Sequence, residues 1–236
     1  MKFRPSTALT ITLLIIGAVF GRLCFWQLER EQQKQALFDQ IENAPMMSVE
    51  QALKKPGGFS QVEAYGQFDQ KRHILVDNKI FQGRAGVHAY TPFYLENGGT
   101  LLVNRGWLPL QPDRRNLPDV PTDPRKQMIS GLLKQPTTGG QRLGEPDVLV
   151  PDNWPQLITW FDLELIESSL GTPLSHWELQ LDRYDANGFA DREWQAAVMT
   201  PQVHRAYAWQ WFALALATLI IWITLGIRRG QESSAN

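Results

Sequence analysis

The chain has 236 residues, a formal net charge of -1, 43% hydrophobic residues, four histidines and one cysteine. That balance leaves no basic footprint for nucleic acid. A lone Cys24 builds no disulfide framework and removes paired-cysteine copper or zinc sites, and His73, His88, His176 and His204 show no metal-ligand spacing.

In chain order the first element is an apolar run from Thr7 to Leu28, and the last is another from Ala206 to Ile227. Each is about the 20 residues that a helix rising roughly 1.5 Å per residue needs to cross a hydrocarbon core of about 30 Å. Two spans cross in opposite directions, so residues 1–6 and 228–236 share one side and residues 29–205 occupy the other. Lys2, Arg4, Arg228 and Arg229 bracket the outer ends, and this bias predicts cytoplasmic termini and a periplasmic central domain in a bacterial inner membrane. Arg30, Lys34 and Arg205 on the opposite flanks make the bias moderate. A cleaved signal peptide fits the first run poorly, because the apolar stretch is too long and Trp26-Gln27-Leu28-Glu29-Arg30 follows it in place of a small-residue cleavage pattern.

Between the spans lie about 175 residues, enough for one domain with a real core. Short β-type runs cover Val62 to Phe68, His73 to Asn78, Val87 to Leu95, Thr100 to Leu108, Gln127 to Lys134 and Leu174 to Leu181, bounded by turn formers. Asn97-Gly98-Gly99 reads as a tight hairpin link, and antiparallel pairing is expected. Helical spacing recurs in Gln32 to Ala44, in Ser48 to Lys54 behind a Ser48 cap, and in Asp162 to Leu170 behind an Asp162 cap. The proline-rich Pro109 to Pro124 reads as a surface loop, and Pro136 to Asn153 matches no pattern. The expected fold is a membrane protein with two transmembrane helices, a hairpin, flanking a mainly antiparallel β domain, a small barrel or sandwich of the α+β kind with peripheral helices.

At the mouth of the second span, His204, Tyr207, Ala208, Trp211 and Ala215 fall on one helical face at 100° per residue, with an imidazole at the aqueous end and alanines below it. A flat apolar ligand suits such a face, and histidine is a common haem-iron ligand, with Arg205 or Arg22 near the propionates. A plainer reading uses the same residues: Tyr207, Trp209 and Trp211 as an interfacial belt, His204 as a helix-entry cap. Gly17 and Gly21 form a GxxxG pattern that predicts close packing of the spans. Arg22, six residues before Leu28, either snorkels to the interface or meets an anionic group.

In the domain, Asn104-Arg105-Gly106-Trp107 follows Leu101-Leu102-Val103; the expectation is a bulge at Gly106, a packed Trp107 and an Arg105 paired with a carboxylate. Asp162 with Glu164, or Asp182 with Asp185, imitate a hydrolase dyad, but no nucleophile motif accompanies them and a solvated face is expected. No catalytic constellation appears, so the chain does not read as an enzyme.

Four patches resemble one family: Gly21-Arg22-Leu23-Cys24-Phe25-Trp26-Gln27-Leu28-Glu29-Arg30; Gly83-Arg84-Ala85-Gly86 with Thr91-Pro92-Phe93; Leu102-Val103-Asn104-Arg105-Gly106-Trp107-Leu108-Pro109; and His204-Arg205-Ala206-Tyr207-Ala208-Trp209-Gln210-Trp211-Phe212. Together with the two-span layout they look like a bacterial member of the surfeit locus protein 1 family. The resemblance implies a respiratory-chain role, assembly of haem-copper cytochrome c oxidase, with the main oxidase subunit as partner and haem a synthase and copper-insertion factors as further candidates. It also implies haem a binding with His204 as axial ligand. Two functions stand side by side: a haem a chaperone that hands the cofactor to the oxidase, and a haem-free scaffold that holds an assembly intermediate while another protein inserts haem.

Overall fold

The computed structural model describes residues 3–54, 57–114, 116–136, 147–150, 152–192, 194 and 199–235, with side chains of the last helix followed to residue 232. Most of the patternless segment, residues 137–146 and 151, lies outside the described residues. In chain order the elements are α1 (Thr7–Glu42), β1 (Met46–Ser48), α2 (Val49–Leu53), β2 (Ser60–Phe68), β3 (Ile74–Phe81), β4 (Arg84–Leu95), β5 (Thr100–Pro109), β6 (Gln127–Lys134), β7 (Gln156–Ile158), α3 (Leu163–Leu170), β8 (Glu178–Leu181) and α4 (Pro201–Ala235). They form two compact units, Met1–Asp39 with Gln195–Asn236, and Gln40–Trp194.

The first unit is a pair of helices, each long and apolar enough to cross a membrane. Helix α1 runs past Leu28 to Glu42, so the separate helix expected over Gln32 to Ala44 is its continuation. Nothing between Glu29 and Asn43 breaks a helix, and Pro45 then stops it. Burial marks a seam along α1 at Thr10, Leu13, Gly17, Phe20, Cys24 and Gln27, and along α4 at His204, Ala208, Trp211, Ala215, Thr218 and Trp222. These steps alternate between three and four residues, the 3.5-residue period of a left-handed helix pair. Phe20 stacks on Trp211 with centroids 5.8 Å apart, and the Trp222 indole donates to Thr10 Oγ1 at 3.0 Å. The outward faces carry exposed Ile11, Leu14, Ile15, Phe25, Leu219 and Ile220, as a lipid-facing surface requires.

The GxxxG expectation is corrected at Gly21. A Cβ built on Gly17 would sit 3.9 Å from Thr218 Cγ2, ordinary contact, whereas one on Gly21 meets nothing within 4 Å. A four-residue step from Gly17 leaves the 3.5-residue seam, which takes Phe20 instead.

The second unit is a closed barrel in which β2, β6, β8, β5 and β4 follow in order and β4 returns to β2 through Gly66↔Leu95 to Phe68↔Phe93. Its interior holds Val62, Ala64, Phe68, Phe93, Leu101, Val103, Ile129, Leu133, Leu179 and Leu181. Strand β2 alternates buried and less buried residues, as a strand with one face on the core should. Strand β5 is buried on both faces over its first eight residues, because Leu102 on its outer side packs with Ile74, Val76, Ile166 and Leu170 under α3. That double burial explains the unbroken Leu101-Leu102-Val103 run.

The helix caps fall where expected. Ser48 forms a capping box with Gln51, and Asp162 accepts from Leu165 N at 3.2 Å. The Asn97-Gly98-Gly99 link joins β4 to β5, with Gly98 and Gly99 at φ 88° and 92°, a region that favours glycine. Two differences stand out. Strands β1 and β7 are three residues each, too short to show period-two alternation, and β1–β2, β3–β7 and β5–β8 are parallel pairs in a sheet expected to be antiparallel. The Leu174 to Leu181 strand shortens to β8.

Candidate functional site

Helix α4 opens at Pro201, whose ring presets the helical φ and whose missing N–H costs nothing in a first turn. His204 stands in that turn, 6% exposed. Its ring does not cap the helix entry. It turns into the seam, where Nδ1 lies 2.8 Å from Oε1 of Gln27, itself 7% exposed. A carboxamide oxygen only accepts, so Nδ1 is the donor of this bond, and Nε2 has no bond among the described residues.

Below this pair Ala208 is buried, and Trp211 stacks on Phe20 with its Nε1 buried and unpartnered among the described residues. An unsatisfied buried donor costs about 1–3 kcal/mol, so such an atom marks a place where an acceptor would be welcome. Further down the seam, Leu13, Gly17, Ala215, Thr218 and Trp222 line an apolar groove of about 310 Å³.

The other sequence-predicted residues are less gathered. Tyr207 is 42% exposed, because the seam steps four residues from His204 to Ala208 and leaves Tyr207 on its flank. Arg205 Nε faces the half-buried Glu31 Oε1 at 3.6 Å, and Arg22 Nη1 faces Glu29 Oε2 at 3.9 Å in an exposed pair of the kind that contributes little. Trp209 and Phe212, both exposed, meet edge to face at 5.8 Å, in keeping with an interfacial belt. Sequence reading passed over Gln27. A lone carboxamide closing an apolar run, on the same period as Phe20 and Cys24, is the signal that could have found it.

In the barrel the acidic pairs serve the backbone. Asp182 accepts from Tyr184 N at 2.8 Å and Asp185 from Asn187 N at 2.9 Å, both tight turns. The expected carboxylate partner of Arg105 is corrected. Its Nε donates to Asn187 O at 2.7 Å, Nη1 to Thr122 Oγ1 at 2.8 Å and Nη2 to Pro121 O at 2.8 Å, between the rings of Phe68 and Phe189. Burial pulls its pKa down to about 10, so it remains a cation. Beside it β5 does bulge: Arg105 and Gly106 oppose Ala89 alone, and Gly106 takes φ 107° against Ala190 O. Trp107 packs and donates to Lys79 O at 3.1 Å.

Two histidines of this unit are structural, and the third, His176, is exposed. His73 is buried beside Thr91 Oγ1 at 3.1 Å, and His88, under Trp194, contacts the Asn104 side chain at 3.3 Å. Burial, then the charge of Lys79, hold His88 down at about 4, despite the Asp191 carboxylate 3.9 Å away. Glu178 is buried, paired with Lys134 Nζ at 2.6 Å and accepting from Tyr90 at 3.2 Å. Among the described residues no cluster of His, Cys, Asp and Glu could hold a metal ion.

A closed β-barrel carried between two helices able to cross a bilayer, with a buried histidine at the entry of the second, defines a two-span membrane protein with one extramembrane domain. Known proteins match along nearly the whole chain. The model of the SURF1 family matches residues 14–216. The "Surfeit locus protein 1" of Mus musculus is 25% identical over 97% of this chain and 79% of its own length. The "SURF1-like protein" of Caenorhabditis elegans is 30% identical over 94% and 74%, and that of Rickettsia conorii 24% over 94% and 90%. The chain belongs to the SURF1 family.

Proposed function

We propose that this chain is a non-enzymatic assembly factor for haem-copper cytochrome c oxidase, which takes haem a as cargo at His204 and delivers it to, or stabilises it in, the main oxidase subunit. The observation that carries the haem reading is the state of His204. It is a buried imidazole whose Nδ1 is engaged by Gln27 Oε1 at 2.8 Å and whose Nε2 has no bond among the described residues.

The donor set fits the cargo. Haem iron takes a nitrogen lone pair as axial ligand. Trp211 Nε1 supplies an unpartnered donor in the same seam, and Ala215 lines the apolar groove further down. Arg205 and Arg22 are exposed guanidiniums that could leave their weak carboxylate pairs for propionates. The orientation proposed with this role has both termini in the cytoplasm and the barrel in the periplasm of a bacterial inner membrane, on the strength of Lys2, Arg4, Arg228 and Arg229. Haem a synthase and copper-insertion factors are partners that such a role would call for.

The test is His204→Ala in full-length protein purified from cells that make haem a. The expected result is normal abundance in the membrane with haem a lost, since the substitution removes a ligand and none of the apolar surface of α4. A variant that keeps the parent's haem content and Soret position refutes the haem reading and leaves the haem-free scaffold.

A further inference from the structure

We infer that Gln27 is the positioning residue for His204, fixing the tautomer and plane of the imidazole so that Nε2 is the ligating atom. The inference rests on the reading of His204 as the haem ligand. Gln27 projects from α1 and His204 from α4, and the 2.8 Å bond between them joins two side chains that are each more than nine-tenths buried. An imidazole held only by packing can carry its proton on either nitrogen and rotate about its ring bond. One carboxamide oxygen facing Nδ1 removes both freedoms, because it cannot donate and can be met only by an N–H. Metal-bound histidines are oriented in this way by an acceptor on the other ring nitrogen.

The chemistry of the acceptor carries the argument further. A carboxylate at this position would draw the Nδ1 proton strongly, push negative charge onto the ring and make Nε2 a tighter ligand for ferric iron. A neutral carboxamide orients the ring without that charge. Cargo that must be passed on needs an aligned ligand of moderate strength, and glutamine provides it where aspartate or glutamate would hold on. Glu29 and Glu31 stand nearby on the same helix, yet they pair with Arg22 and Arg205 and leave the imidazole to Gln27.

The experiment compares parent, Gln27→Leu, Gln27→Glu and His204→Ala as full-length proteins from cells that make haem a, reading haem a occupancy, the Soret band and the haem midpoint potential. Gln27→Leu should insert as well as the parent, bind haem a roughly 10- to 100-fold more weakly and shift both the band and, upward, the potential. Gln27→Glu should restore occupancy and move the potential below the parent's. A plain helix-packing role predicts neither the opposite potential shifts nor the rescue by glutamate. If Gln27→Leu keeps the parent's occupancy, band and potential, or if Gln27→Glu has the parent's potential, the assignment is overturned and the bond only ties the helices together. Should His204→Ala also hold haem a like the parent, the underlying haem reading falls instead.

Discussion

Replacing Arg105 by alanine should be among the most damaging single changes in the barrel. The side chain is 2% exposed and lies on the interior side of β5 with Leu101 and Val103. Its removal strands the carbonyls of Pro121 and Asn187, each now satisfied at 2.7–2.8 Å, and empties the space between Phe68 and Phe189. The two charge-assisted hydrogen bonds to these part-buried carbonyls contribute about 1.5–3 kcal/mol each, so about 4 kcal/mol is expected before any cavity is counted. That is a large part of the roughly 5–15 kcal/mol that holds a domain folded. At about 2–4 °C per kcal/mol for a domain of this size, the midpoint should fall by roughly 8–16 °C. Thermal unfolding of the full chain in detergent, followed by tryptophan fluorescence, reads the shift. Because Pro121 and Thr122 belong to the proline-rich segment after β5, limited proteolysis there should also quicken. Arg105→Lys should recover little, since one ammonium cannot span three acceptors and stack between two rings. A midpoint within about 2 °C of the parent, with unchanged proteolysis, would refute the reasoning.

Acid should weaken the barrel through His88. Its pKa is about 4 when folded and near 6.5 when exposed, so the unfolded chain binds more protons between those values and stability falls as pH drops from 6.5 towards 4. Unfolding midpoints across that range should show the loss and His88→Gln should flatten it; an equal slope in both proteins counts against the assignment. In the hairpin, Gly17→Leu should weaken cross-links between cysteines engineered across the two spans, and Gly21→Leu should not, because only Gly17 faces α4; equal effects would mean that Gly21 is also on the seam. The orientation is decided by alkaline phosphatase fusions. Activity is expected from an insertion near Pro118 and none from a fusion at residue 236, and the reverse pattern rules the orientation out.

Much of this protein is legible in its sequence, because the features concerned depend on neighbours along the chain. Two apolar runs of bilayer length, the helix caps Ser48 and Asp162, the Asn97-Gly98-Gly99 link and the longer strands are each determined by residues within a few positions. The family resemblance was also open to sequence, since it rests on four patches of residues and the two-span layout. Tertiary structure alone decided what depends on residues far apart in sequence. The 3.5-residue seam admits Gly17 and leaves out Gly21 and Tyr207, which no single helix pattern reveals, because a seam exists only where a second helix covers it. Strands β1 and β7 form because β2 and β3 offer open edges, not because three residues favour extension. Arg105 finds carbonyls and rings instead of a carboxylate, since residues 121–122 and 187–189 are brought to it only by the fold. The pairing of Gln27 with His204 joins residues 177 positions apart, and only helix packing could bring them together.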